Sequence, residues 1–314
     1  MTLFLSRNHK VTVGIEAVYG DGGATPTPAP LFMTAIPEAN PTWHENEVYP
    51  GTMDRNTAFM GKNFFKLPGK YYLKGSGTAG TAPEIGKLIR LHGMSETVNA
   101  GVSVVYSPLA SSLPSGGLIV NVDGVQWALA GCRSDSFKLA MKGGEPVLIE
   151  QDFYGLYADP TSVAYTAPTF TDTAVVPPVA TGMALTIGGA TFVLPEFSLE
   201  LKNKLVQLPS VNAVATSRGI TEMVITAREW GGKFTAIRDA NNDIEFWTNA
   251  RTAAEQAVVS TGFGATGNII KVSMSNLQLT SVKPTDYEGM PAYECEYRIN
   301  KNATLANVFS LTFA

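Results

Sequence analysis

Charge is scarce in this chain. Asp, Glu, Lys and Arg make up only 16% of its 314 residues, against about 25% in an ordinary soluble domain. The surface must be solvated by Thr, Ser, Asn and Gly or covered by partners, and the second alternative points to an assembly subunit. Basic runs are missing as well, and the formal net charge is −4, which argues against a nucleic-acid footprint. No apolar run approaches the ~18 residues of a membrane span. Two cysteines, Cys132 and Cys295, lie far apart; they offer neither a disulfide framework nor metal spacing and read as separate structural thiols. The three histidines, His9, His44 and His92, fall in no metal-ligand pattern, and the G-x-S-x-G nucleophile elbow is absent. An enzyme is therefore the least supported class, and no cofactor or metal is expected. The start, MTLFLSRNHKVTV, puts its apolar residues before Arg7 and Lys10. That is the reverse of a signal peptide, so the chain is expected to be made and used in a cytoplasm.

Glycine, by contrast, is plentiful, at 30 residues. Gly75, Gly77 and Gly80 stand in the order G-x-G-x-x-G, and 262-GFGATG-267 repeats the spacing. A dinucleotide turn needs its helix to begin near the second glycine, with free N–H groups aimed at the pyrophosphate. Here the expected helix starts near Pro83, which also removes a donor, and no βαβ series follows. The second copy comes after a helix and before a strand, the wrong order. Both read as backbone corners. Glu145, Glu150, Asp152 and Asp159 cluster around one strand; carboxylates on a wet strand face explain them better than a glycosidase pair.

The rest of the chain alternates short β-like runs with Gly, Pro and Asn punctuation. Strands are expected at about 9–18, 69–74, 101–106, 117–122, 125–130, 134–141 and 147–157, then at 196–203, 220–230, 268–275, 277–283, 291–299 and 307–313. Helices are expected at about 83–93, between Pro83 and Gly93, and at about 243–261, capped by Asn242 or Asp243 and ended by Gly262. His92 falls on the apolar helix face as a core or interface group. Residues 32–67 form a long, weakly periodic segment, a loop or extended hairpin, of which 40–67 is the candidate functional loop; such segments in compact domains are usually functional. Residues 161–182, rich in Thr, Ala and Pro, mark a linker between domains 1–160 and 183–314. The halves share an order of strands, one helix and more strands, and 117-GLIVNVDGVQWAL-129 echoes 182-GMALTIGGATFVL-194. These features predict a mainly β fold, a β-sandwich or partly closed barrel with one helix, in tandem duplicate.

Two segments carry a family resemblance: 74-KGSGTAGTAPEIGKLIRLHGMSETVNAGVSVVYSP-108 and 123-DGVQWALAGCRSDSFKLAMKGGEPVLIEQDFYGLY-157. With the opening VTVGIEAVYGDGGATPTPA, they resemble the major tail tube proteins of long, non-contractile-tailed bacteriophages, most specifically over 1–157. The resemblance implies sandwich domains packed side by side into rings. The inner sheets would join into a barrel around the DNA channel, and a long loop would dock on the next ring. Single-domain members form hexamers, so a two-domain chain would fill the ring as a trimer with pseudo-sixfold symmetry. The implied partners are further copies of the chain, a tail terminator and a tail-tip initiator. Tape measure protein and DNA would pass through the lumen without specific binding. The location implied is the virion tail, assembled in the host cytoplasm. Within 40–67, Trp43, Tyr49, Phe59, Phe64 and Phe65 are the candidate inter-ring anchors, unless that loop folds over its own core. Asp123, Glu150 and Asp152 are the candidate lumen-facing acids. A tube protein of a contractile-type secretion machine and a β-sandwich binding or adhesion module remain the alternatives.

Overall fold

Strict apolar–polar alternation builds most of this molecule. In Glu196–Pro209, Phe197, Leu199 and Leu201 are buried while Lys202 and Lys204 are exposed, the period of a half-buried strand. Phe64–Tyr72 and Leu148–Leu156 alternate in the same way. The computed structural model describes residues 8–23, 27–28, 32–48, 51–167, 175–213, 219–239, 244–304 and 308–314.

One antiparallel sheet runs through both halves of the chain. It opens with the short strands Phe32–Thr34 and Glu38–Ala39, both paired to Phe64–Tyr72. Next come Leu148–Leu156 and then Val125–Lys142. Glu196–Pro209 joins Val125–Lys142 through seven consecutive pairs, from Ser136↔Lys202 to Lys142↔Glu196. Ile220–Ile237, Met290–Ile299 and Ile270–Tyr287 complete the series. A second set of strands lies behind it. His9–Ile15 pairs with Gly116–Val122, which in turn pairs with the start of Val125–Lys142. Leu185–Ile187, Glu255–Ser260 and Phe309–Phe313 pair around the start of Ile270–Tyr287. Phe309–Phe313 also pairs with Ser103–Pro108, which forms a hairpin with Met94–Asn99. The expectation of a mainly β, sandwich-like fold therefore holds. The buried apolar residues of both halves form one continuous cluster.

Local expectations changed in three places. The pairs 125–130/134–141 and 268–275/277–283 are two single strands of 18 residues each. The first crosses between sheets at Gly131, whose φ is +61°, next to a register shift between Ala130 and Arg133. The helix expected at 83–93 is only Gly86–Arg90, with Ile85 at its start. The helix expected at 243–261 is Glu245–Thr252; it ends at Ala253, held at φ +53°. Residues 255–260 instead alternate exposed and buried as a strand, because Val258 fills the core while β-branched Val259 faces out. Asn242 and Asp243 lie outside the described residues. The 123–124 and 188–189 hairpin turns both form, but only the first leads into an 18-residue strand. Within 161–182, Thr161–Ser162 pairs with Val125 and Gln126, and Val179 bridges to Pro146.

The two glycine motifs meet each other. Gly77 N–H donates to Gly267 O at 3.0 Å, and Gly75 N–H donates to the Asn268 side chain at 2.6 Å. A Cβ on Gly267 would sit 2.4 Å from Gly77 O, at a φ of +81°. The spacing that mimics a phosphate cradle is thus one of the places where the two halves touch backbone to backbone.

Buried polar groups lock the same junction. Asn203 sends both amide protons to carbonyls, His92 O at 3.0 Å and Ser134 O at 3.1 Å. His92 Nδ1 is then the donor to Ser134 Oγ at 3.2 Å, whose hydroxyl donates to Ser136 O at 2.8 Å. This assignment leaves His92 Nε2 bare, and it has no partner. Burial, with Arg228 nearby, lowers the His92 pKa to about 3. Arg133 spans the halves, donating to Glu222 at 2.7 Å, to Leu113 O at 3.1 Å and to Met223 O.

Two outcomes follow from this junction. Gly267→Ala forces a left-handed residue against a carbonyl and should cost about 1–3 kcal/mol, read as a lower urea midpoint with an unchanged slope. The His92 side chain is neutral when folded but takes a proton more readily when unfolded. Stability should therefore be full above about pH 6.5 and fall as pH drops toward 3, by at most about 1.4 kcal/mol per unit from this group. In urea titrations across that window, His92→Gln should flatten the dependence; an unchanged slope would contradict the assignment.

Candidate assembly surfaces

The outward face of the long sheet is a ladder of opposite charges. Lys66 meets Asp152 at 2.8 Å, and Glu150 meets Lys70 at 3.0 Å and Lys138 at 3.5 Å. Further along, Lys142 meets Glu196 at 2.9 Å, Lys233 meets Glu294 at 3.6 Å and Lys283 meets Glu296 at 3.7 Å. The Lys70 ammonium holds Glu150 below its usual pKa, and the hydrogen bond to Asp152 raises Lys66. Register explains the pattern: outward positions recur every second residue, and both directly opposed residues (Glu150 with Lys70 and Lys138, Lys142 with Glu196) and diagonal ones (Lys66 with Asp152, Lys233 with Glu294, Lys283 with Glu296) sit close enough to pair. Of the candidate acids, Glu150 and Asp152 share this face. Asp123 does not; it sits at a hairpin turn of the other layer, φ +37°, accepting a hydrogen bond from Asn8 Nδ2 at 3.1 Å.

The sheet ends in two bare edges. Among the described residues, no strand pairs with the outer side of segment 32–39, where the His9 side chain bonds Ala35 O at 2.9 Å, or with 281–287 on the side away from Met290–Ile299. Met33 and Ile36 are exposed on the first edge. The second carries Pro284, a residue that sheets tolerate at an edge with its nitrogen turned away from the ladder.

Beyond the sheet, residues 40–62 form an arm. Asn40 N–H bonds Phe64 O and Thr42 N–H bonds Lys62 O, and Trp43–His44 pairs with Phe59–Met60 as a separate two-stranded sheet. Trp43 is 60% exposed and Phe59 57%, with the His44 and Phe59 rings stacked at 5.5 Å. Phe64 is half-buried beside Tyr154. Phe65 corrects the expectation for it: it is buried in the chain's own core and stacked on Tyr157 at 4.9 Å, because inward positions of Phe64–Tyr72 fall on odd residues. Tyr49 lies outside the described residues. The outward face of Glu196–Pro209 also turns apolar past Lys204, with Val206 and Leu208 exposed and Val211 fully so. That change was readable in the sequence as a break in the charged alternation of 196-EFSLELKNKLVQLP-209.

Both apolar projections leave the same end of the sheet. The arm enters at Phe64, opposite Leu156, whereas Tyr72 lies opposite Leu148 at the other end. Glu196–Pro209 runs from Lys142, near that other end, to its apolar tip beside the arm. No cluster of three or more metal-binding side chains occurs among the described residues, and no described helix is long and apolar enough to cross a membrane.

A model of the phage tail tube protein family matches residues 6–294. The chain belongs to that family. It is thus a structural tail protein of a phage, in a family of tube-formers rather than of a known enzyme class. A search of curated proteins finds no match. A wide charge-balanced face, two open edges and apolar projections at one end are the surfaces this family member leaves exposed among its described residues.

Because the face pairs are exposed, each should contribute little: Glu150→Gln should lower stability by less than ~1 kcal/mol. Arg133→Met, which strands Glu222 and breaks the junction network, should cost about 3–5 kcal/mol. Parallel chemical melts of the two variants check the contrast.

Proposed function

We propose that the chain polymerises as the tube of a long, non-contractile phage tail, with three chains closing each ring in pseudo-sixfold symmetry. The observation that carries this reading is the open sheet with a free edge at each end. Unpaired edges are templates for pairing, and proteins cover them. Inside the chain, 136–142 is joined to 196–202. Between chains, 281–287 of one copy pairs with 32–39 of the next. A heterologous contact of this kind closes into a ring.

The duplicate organisation supports the count of three. Each half, 1–160 and 183–314, has an 18-residue strand that changes partners along its length. In each, the following strand pairs with the strand that precedes the helix: Leu148–Leu156 with Phe64–Tyr72, and Met290–Ile299 with Ile220–Ile237. The 40–62 arm and the 205–222 hairpin occupy corresponding positions. The ladder face is the lumen wall. Lys66, Lys70, Lys138, Lys142, Lys202, Lys233 and Lys283 each meet a carboxylate, so passing phosphate meets few unbalanced cations, and DNA and tape measure protein move through without specific binding. Rings stack from a tail-tip initiator to a terminator in the host cytoplasm, and the product is the virion tail.

Purified chain should form rings or tubes of constant width under negative stain, with a trimeric step by mass photometry. Met33→Asp with Ile36→Asp changes exposed edge residues only. This variant should melt as the parent does and remain monomeric; ring formation by it would remove the edge-pairing reading.

A further inference from the structure

The structure carries a knob and a hole at opposite ends of one sheet. The knob is the 40–62 arm, leaving at Phe64, with the exposed rings of Trp43 and Phe59. The hole is a cleft of about 150 Å³ at the other end, between the last residues of Val125–Lys142 and the start of the second half. Met141, Met183, Leu185, Phe192, Leu194 and Phe197 line it. Lys142, Thr181 and the glycines Gly143 and Gly182 complete its open, polar side, so the cleft can take the six-membered ring of an indole with the N–H left at a polar rim.

We propose that this cleft is the socket for Trp43 of a copy in the adjacent ring. The inference rests on the tube reading and names the receptor that stacking requires. Three observations support that occupant. Trp43 and Phe59 stand in a two-stranded sheet separate from the long one, with over half of each side chain exposed. The cleft lies at the end of the sheet that a head-to-tail neighbour presents to the arm. Complementary patches at opposite ends, unlike a self-complementary patch, generate an open filament. The mouth of the cleft is also free of bulk: a Cβ on Gly143 would meet only Pro195 O, at 3.9 Å.

Gly143 supplies the test, because a side chain there enters the cleft without backbone strain. Gly143→Trp should occupy the socket, raising the concentration needed for assembly at least about tenfold, as loss of an aromatic anchor does, while the melting temperature is unchanged. In tubes of the double variant Trp43→Cys/Gly143→Cys, assembled at the higher concentration that loss of the Trp43 anchor requires, mild oxidation should link chains into a ladder on non-reducing gels. The native Cys132 and Cys295 are buried and stay silent. If tubes form but give no ladder, and Gly143→Trp assembles like the parent, the socket assignment is overturned and the tube reading stands. If the parent chain forms neither rings nor tubes, both fall.

Discussion

An open antiparallel sheet has to find partners for its outermost backbone groups. That constraint organises this molecule. The chain satisfies it internally at the junction of its halves, where 136–142 and 196–202 hydrogen-bond along seven pairs, and leaves it unsatisfied at 32–39 and 281–287. Everything else at the junction serves the same continuity. Arg133 and Asn203 saturate carbonyls that the crossing strands leave over, and Gly77 and Gly267 let two backbones come together where a side chain would separate them.

The face that results follows from the same geometry. Period-two alternation puts Lys and Glu on one side and Phe, Leu and Ile on the other, so a sheet that is continuous through the chain gives a charged wall that is also continuous. Few charges are needed, because cross-strand register places each lysine beside a carboxylate. The low overall charge and this mixed wall are two views of one arrangement. Placed on the inside of the tube, as proposed, such a wall would be wettable without holding a polyanion.

Much of the architecture was legible beforehand. Alternation in 148–156 and 196–203 identifies strands and Pro83 with Gly93 brackets the first helix, whereas the strand expected at 69–74 begins at Phe64, inside the segment read as irregular. The glycine motifs were rightly read as backbone corners, although their contact across nearly two hundred residues carries no local signal. The second helix was overextended because Ala254, Ala257 and Val258 fit helical spacing as well as an alternating strand; the left-handed Ala253 decides between them and has no signature in sequence. Phe65 illustrates the limit for the site. Its neighbourhood announces an aromatic arm, but whether an aromatic faces the core or a partner depends on register, and one residue of register reverses the answer. Trp43 and Phe59 fall on the outward side of the arm, Phe65 on the inward side of the sheet.

The central claim is that the two bare edges pair between copies. Backbone amide exchange measures this directly. In the free chain, amides of 281–287 that face away from Met290–Ile299 should exchange within the time of unprotected strand edges, together with those on the outer side of 32–39. In assembled rings both sets should slow together by orders of magnitude, while amides at the internal junction, already slow, change little. Assembly that leaves both edges exchanging at the monomer rate would contradict the account.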